Sequence, residues 1–152
     1  MKTLVTILFA ALIFGGIVSA QVKIGKPADA EAYVKKAIEY IKANGTDKAF
    51  AEFSNPKGKF IEGDLYISVY DMKGFCVSHP DPKKNKVDLS EEKDPTGKLV
   101  LQERLALAKQ NGKGWANYKG KRLGSNELVD KTVYVERYDK YIVCCAVYGF
   151  MK

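Results

Sequence analysis

Among its 152 residues the chain holds one histidine, His79, and three cysteines, Cys76, Cys144 and Cys145. Nucleophilic catalysis needs a nucleophile beside a base and an orienting group, and acid–base catalysis needs a positioned pair of titratable groups. His79 has neither a nucleophile nor a carboxylate at a spacing that would make such a set, and no paired carboxylates occur. A zinc site needs several Cys, His or carboxylate ligands, and a lone histidine without cysteines at finger spacing does not supply them. The expectation is therefore a protein that is not an enzyme, with no catalytic residues, no metal and no cofactor. Cys144 and Cys145 are neighbours, and a ring closed between them would be strained, so any bridge would use Cys76. At least one thiol stays unpaired, and buried thiols acting as small hydrophobes are the alternative to a bridge.

Lys and Arg number 25 against 18 Asp and Glu, a formal net charge of +7. Two basic clusters stand out, Lys83, Lys84 and Lys86 in one loop and Lys119, Lys121 and Arg122 in another. Aromatic residues are not interleaved with them as a single-strand platform would require, so no nucleic-acid partner is expected. Solubility, or weak attraction to an anionic surface, accounts for the excess.

The elements that must position these groups begin with a leader. Met1-Lys2 precedes an apolar run from Leu4 to Val18, and Val18-Ser19-Ala20 offers a small-residue exit. This pattern predicts a signal peptide, residues 1–20, cleaved so that the mature chain starts at Gln21 in the periplasm or outside the cell. A retained N-terminal anchor is the alternative, because the run approaches the shorter spanning lengths. Residues 21–152 make one domain of ordinary size.

From Pro27 to Ala43 the apolar positions Ala30, Val34, Ala37, Ile38 and Ile41 recur every three or four residues, and Asn44-Gly45 supplies a stop. That is an amphipathic helix. Thr46 caps a second, shorter helix to Phe53. The period then changes to two: Leu65, Ile67 and Val69 alternate with Tyr66, Ser68 and Tyr70, and Asp71-Met72-Lys73-Gly74 turns the chain into a second strand, Phe75 to His79. A Pro- and Lys-rich loop runs from Pro80 to Lys93. Asp94-Pro95 reads as an N-cap with proline in the first turn of a third helix, whose stripe is Leu101, Leu105 and Ala108. Three strands follow, from Trp115 to Tyr118, Lys131 to Tyr138 and Tyr141 to Tyr148, paired as a meander. The order predicts an α+β fold, a five-stranded antiparallel sheet with its helices on one side.

Several segments in order carry a family resemblance: Asp64-Leu65-Tyr66-Ile67-Ser68-Val69-Tyr70-Asp71, Gly74 to His79-Pro80, Asp94-Pro95-Thr96-Gly97-Lys98, Gly112 to Tyr118, and Lys131 through Tyr148. Together they resemble a single Cache domain, the extracytoplasmic sensor module of chemoreceptors and histidine kinases, and the likeness spans most of residues 21–152. The resemblance implies a PAS-like sheet, a long N-terminal helix along it, and a ligand cavity under a crossing segment and its helix. It also implies binding or sensing of a small molecule, such as a two- to four-carbon carboxylate or an amino acid, with a membrane receptor or kinase as partner. The chain departs from the family where Tyr118 runs into Lys119-Gly120-Lys121-Arg122-Leu123-Gly124 in place of a Trp-Pro-rich hairpin. A non-catalytic interaction protein that docks a membrane receptor or envelope partner, with a vestigial pocket, is the competing reading.

Carboxylate capture calls for a cation or convergent donors in a partly dry cavity. The candidate ligand-binding residues are Lys131, Tyr66, Tyr118, His79 and Tyr148. Lys131 falls where the resembling domains keep a lysine at the start of the fourth strand; a solvated strand-end lysine is its alternative. His79 precedes Pro80 and so ends an extended segment, where a histidine bonded to backbone would serve structure instead. The tyrosines suit a pocket wall or an ordinary sheet core. Trp115 is expected as rim packing against the third helix. Intact-mass measurement of the chain recovered from its host should give a protein starting at Gln21 in a soluble extracytoplasmic fraction; full precursor mass in the membrane fraction would mean a retained anchor.

Overall fold

The computed structural model describes residues 25–150; the expected leader and its cleavage point lie outside the described residues. Helix α1 spans Pro27–Asn44, with proline in its first turn, where a missing N–H costs nothing. The Asp29 carboxylate accepts the Lys26 N–H at 2.9 Å, adding an acid at the positive end of the helix. Gly45 ends it at φ +80 and leads into α2, Thr46–Phe53, in which Thr46 is the first helical residue and not the cap.

Six strands follow in one antiparallel sheet: β1 Ile61–Glu62, β2 Leu65–Asp71, β3 Cys76–Ser78, β4 Lys113–Lys121, β5 Leu128–Tyr138 and β6 Tyr141–Tyr148, with α3, Val100–Asn111, between β3 and β4. The spatial order is β1-β2-β6-β5-β4, and β3 pairs with β2. The expected five strands are all present, and the sixth is the two-residue β1. The meander of the last three strands also holds, with β5 and β6 joined at Asp139-Lys140, where Asp139 takes φ 53.

Both faces of the sheet are covered. On one, Leu65, Ile67, Val69, Tyr134, Val143, Cys145 and Val147 pack under the buried stripe of α1 and under Ala49 and Phe53 of α2. Phe53 centres an aromatic cluster, 4.5 Å from the Phe60 ring and 6.1 Å from Tyr40. On the other, Tyr70, Val133, Val135, Ile142, Cys144 and Ala146 meet Leu101, Leu105 and Ala108 of α3. The expectation of helices on one side is thus corrected. Periodicity shows which stripe of a helix is apolar but not which face of the sheet it covers. Trp115 is corrected for a related reason: the β4–β5 register sets it opposite Tyr134, on the α1 face, 5.1 Å between ring centroids, and not against α3.

The segment between β3 and α3 crosses the second face. Cys76 N–H donates to Val87 O at 2.8 Å and Leu89 N–H to Gly74 O at 3.1 Å, while Phe75 bridges to Asp88. Asp94 does not cap α3. Its carboxylate accepts the Thr96 N–H and hydroxyl, the Lys98 N–H and, from β4, the Lys119 N–H. These bonds, led by the Thr96 hydroxyl, hold its pKa down at about 2. Asp94 therefore builds a turn that ties the crossing segment to β4, and Gly97 at φ +86 keeps the helix from starting before Val100. All three cysteines are buried, free thiols.

Gly74 has φ +104, and a Cβ there would lie 2.8 Å from Ser90 Cβ and 2.9 Å from Ser90 Cα, so the crossing segment rests directly on this glycine. Gly97 shares the left-handed backbone but has open space around it. Gly74→Ala should therefore cost about 1–3 kcal/mol in denaturant unfolding, clearly more than Gly97→Ala, which carries backbone strain alone. Equal losses would show that the contact with Ser90 is not tight.

Candidate ligand-binding site

The two faces differ in kind because the alternation along β2 separates Leu65, Ile67 and Val69 from Tyr66, Ser68 and Tyr70. The first set is dry packing, and the second lines a cavity of about 1210 Å³ between the sheet, the crossing segment, α3 and the β4–β5 hairpin. Tyr66, His79, Tyr118 and Lys131 all line it. Tyr148 does not; its ring stands beside the cavity, 5.4 Å from Lys131 Nζ and 4.5 Å from Arg122 Cζ.

Lys131 is 4% exposed. The register sets it between Tyr118 on β4 and Tyr148 on β6, and its Nζ donates to the Tyr66 hydroxyl at 3.3 Å. Three tyrosine rings surround the ammonium, their centroids 5.4 to 5.9 Å away. Such rings attract a cation through their quadrupoles. Even so, burial, abetted by Lys84 and Arg104, lowers the Lys131 pKa. The solvated strand-end lysine is excluded by this burial.

His79 is equally buried and accepts the Asp81 N–H on Nδ1 at 2.9 Å. An accepting Nδ1 cannot carry a proton, so the neutral ring bears its hydrogen on Nε2. Burial first, and then Lys84, Lys131 and Arg104, push its pKa down to about 3. Its ring meets Tyr66 edge-on at 5.3 Å.

Arg104 was not legible as a site residue, yet it is 3% exposed and lines the same cavity. Its guanidinium lies 4.6 Å from the Tyr118 ring and 5.8 Å from Tyr70, and its Nε has no hydrogen-bond partner. Burial opposes its charge, but Tyr118, Tyr70 and Cys144 outweigh burial and keep it protonated. The signal that could have found it is position: it lies three residues after Leu101 and four before Ala108, on the stripe that α3 buries. Tyr118 is its counterpart. Burial would raise the Tyr118 phenol, but Arg104, Lys131 and Lys84 together hold it below its ordinary value.

No carboxylate among the described residues pairs with Arg104 or Lys131. The acids lining the cavity are engaged elsewhere: Glu92 with Lys84, Asp81 with the Lys83 N–H, and Asp94 in its own turn. The two basic loops flank the mouth. In the hairpin after Tyr118, Arg122 Nη1 lies 2.7 Å from both carboxylate oxygens of the buried Asp64, at the start of β2, and Nε pairs with Glu127 at 3.1 Å. The Tyr148 hydroxyl accepts the Leu123 N–H at 3.4 Å. Among the described residues no group of acids, cysteines and histidine could hold a metal ion.

A cavity between such a sheet and a crossing segment is the hallmark that the sequence resemblance implied, and residues 11–150 match the family described as single Cache domain 2. The chain belongs to that family. This Cache domain is similar to the methyl-accepting chemotaxis protein McpP of Pseudomonas putida KT2440, at 38% identity over 74 residues; that stretch is 48% of this chain and 14% of the receptor. It is also similar to a solved Cache chemosensory domain studied for carboxylic acid recognition, 27% identical with a TM-score of 0.67 over 80% of this chain and 91% of the other. A periplasmic sensor domain of a chemotaxis protein is 26% identical, TM-score 0.61, over 78% and 86%. The two solved neighbours are thus chemosensory domains, one of them periplasmic, and among the described residues no helix is long and apolar enough to cross a membrane.

The depressed His79 pKa fixes a pH dependence. The unfolded chain binds a proton there below about 6.5, the folded chain only near 3, so the stability this residue confers is complete above 6.5 and falls as pH drops through that window. Between pH 7 and 5 the wild type should lose about 2 kcal/mol more than His79→Gln in denaturant titrations. Parallel pH profiles would mean that the imidazole charges freely in the fold.

Proposed function

We propose that this Cache domain binds a small organic anion, a two- to four-carbon carboxylate or an amino acid, in the cavity beneath the crossing segment. The observation that carries this reading is the pair of buried cations, Arg104 and Lys131, facing one cavity without a carboxylate partner among the described residues. An unneutralised buried charge is costly, and a ligand that supplies the missing anion recovers that cost as binding energy. The Tyr66 hydroxyl, bonded to Lys131, and the neutral His79 beside the Tyr66 ring add polar groups suited to a carboxylate in the same cavity. The solved neighbour studied for carboxylic acid recognition supports the same ligand class.

Binding is the whole chemistry in this reading. The chain works in the periplasm after loss of its leader, and the occupied state is read by a membrane receptor or kinase. A thermal-shift screen of short carboxylates and amino acids, followed by calorimetry, tests it. Saturating ligand should raise the melting temperature of the wild type, and Lys131→Ala should weaken the best hit at least about tenfold, as loss of one partner of a buried charged pair does. Affinity unchanged by Lys131→Ala would move the ligand elsewhere. No shift with any of these compounds at millimolar concentration would favour the interaction protein with a vestigial pocket.

A further inference from the structure

The geometry points to a ligand with two anionic groups, a short dicarboxylate, held between Lys131 at one pole of the cavity and Arg104 at the other. The inference rests on the anion-binding reading and deepens it. Each cation comes from a different element, Lys131 from β5 and Arg104 from α3. The Tyr118 ring is common to both, 5.7 Å from Lys131 Nζ and 4.6 Å from Arg104 Cζ, so the two charges lie within the reach of one small molecule.

The poles also have different donors. Lys131 is grouped with the Tyr66 hydroxyl and, through the Tyr66 ring, with His79. Arg104 is grouped with Tyr70, and its planar guanidinium is the kind of fork that suits a second carboxylate. The charges of the buried groups favour two anionic groups over one. His79 accepts a backbone N–H and is neutral, Lys84 is matched by Glu92, and Asp94 is used up in its turn. A monocarboxylate would neutralise one buried cation and leave the other facing an apolar and phenolic wall, whereas a dianion neutralises both.

The test is calorimetry on the purified chain with acids matched for length: propionate against malonate, butyrate against succinate, valerate against glutarate. At least one dicarboxylate should bind about tenfold or more tightly than its monocarboxylate partner. Arg104→Gln should reduce that preference to about threefold or less, while Arg104→Lys, which keeps the charge but not the fork, should keep the preference at lower affinity. The wild-type comparison needs no variant to fold. Monocarboxylates binding as tightly as dicarboxylates would overturn this inference and leave the anion reading standing. No binding by any of the six would overturn this inference, and the anion reading would fall with it only if acetate and the amino acids of the thermal-shift screen also gave no shift.

Discussion

Two positive charges buried in one cavity are the constraint around which this domain is arranged. A guanidinium and an ammonium, each almost wholly removed from water, cannot rest against an ordinary apolar core without large cost. The fold meets that cost with aromatic hydroxyl residues: Tyr66, Tyr118 and Tyr148 ring Lys131, and Tyr118 and Tyr70 flank Arg104. Phenols give partial negative faces and a hydroxyl, which ease a cation without cancelling it. The depressed pKa of Tyr118 expresses the same imbalance from the other side.

Such a site needs stability from elsewhere, and the division of the sheet into unlike faces provides it. The α1 face is dry, with Phe53, Phe60, Ile67, Val143 and Val147 fully or nearly fully buried, and it has no charge to accommodate. The opposite face is shared between α3 and the polar cavity, so its cover is an irregular strand of chain, fixed by Gly74, Asp94 and a few backbone bonds. The cavity occupies the part of the sheet where packing contributes least.

Much of this was legible in the sequence. The alternation in Leu65 to Tyr70 separated the two faces before any contact was known, and the hairpin, the meander and the stop at Gly45 follow from period and turn chemistry. The cavity members Tyr66, Tyr118, His79 and Lys131 were singled out by their places on strands and by the family resemblance, and the same reasoning chose Tyr148, which stands beside the cavity and does not line it. Arg104 was missed because an arginine within an amphipathic helix reads as solvated surface; only its coincidence with the stripe of Leu101, Leu105 and Ala108 betrays it. Asp94-Pro95 was misread because an aspartate before a proline caps a helix and closes an Asx turn with the same local letters, and the choice was made by Gly97 and by Lys119, 25 residues away. The side on which each helix packs depended on the crossing connection, which no local pattern encodes.

The hairpin after Tyr118 has a consequence in time. It is held down at Asp64 by Arg122, which also lies over the Tyr148 ring that Lys131 contacts. In the anion-binding reading proposed above, a molecule held at Lys131 and Arg104 owes its affinity to those two groups, while the Arg122 clasp, whose arginine lines the same cavity and is 32% exposed, is open to screening by salt. In that reading, residence would be governed by a different pair of residues from strength. A sensor built this way can have its tempo retuned by changes at the clasp, or by the ionic strength of its surroundings, with its chemical preference left as it was.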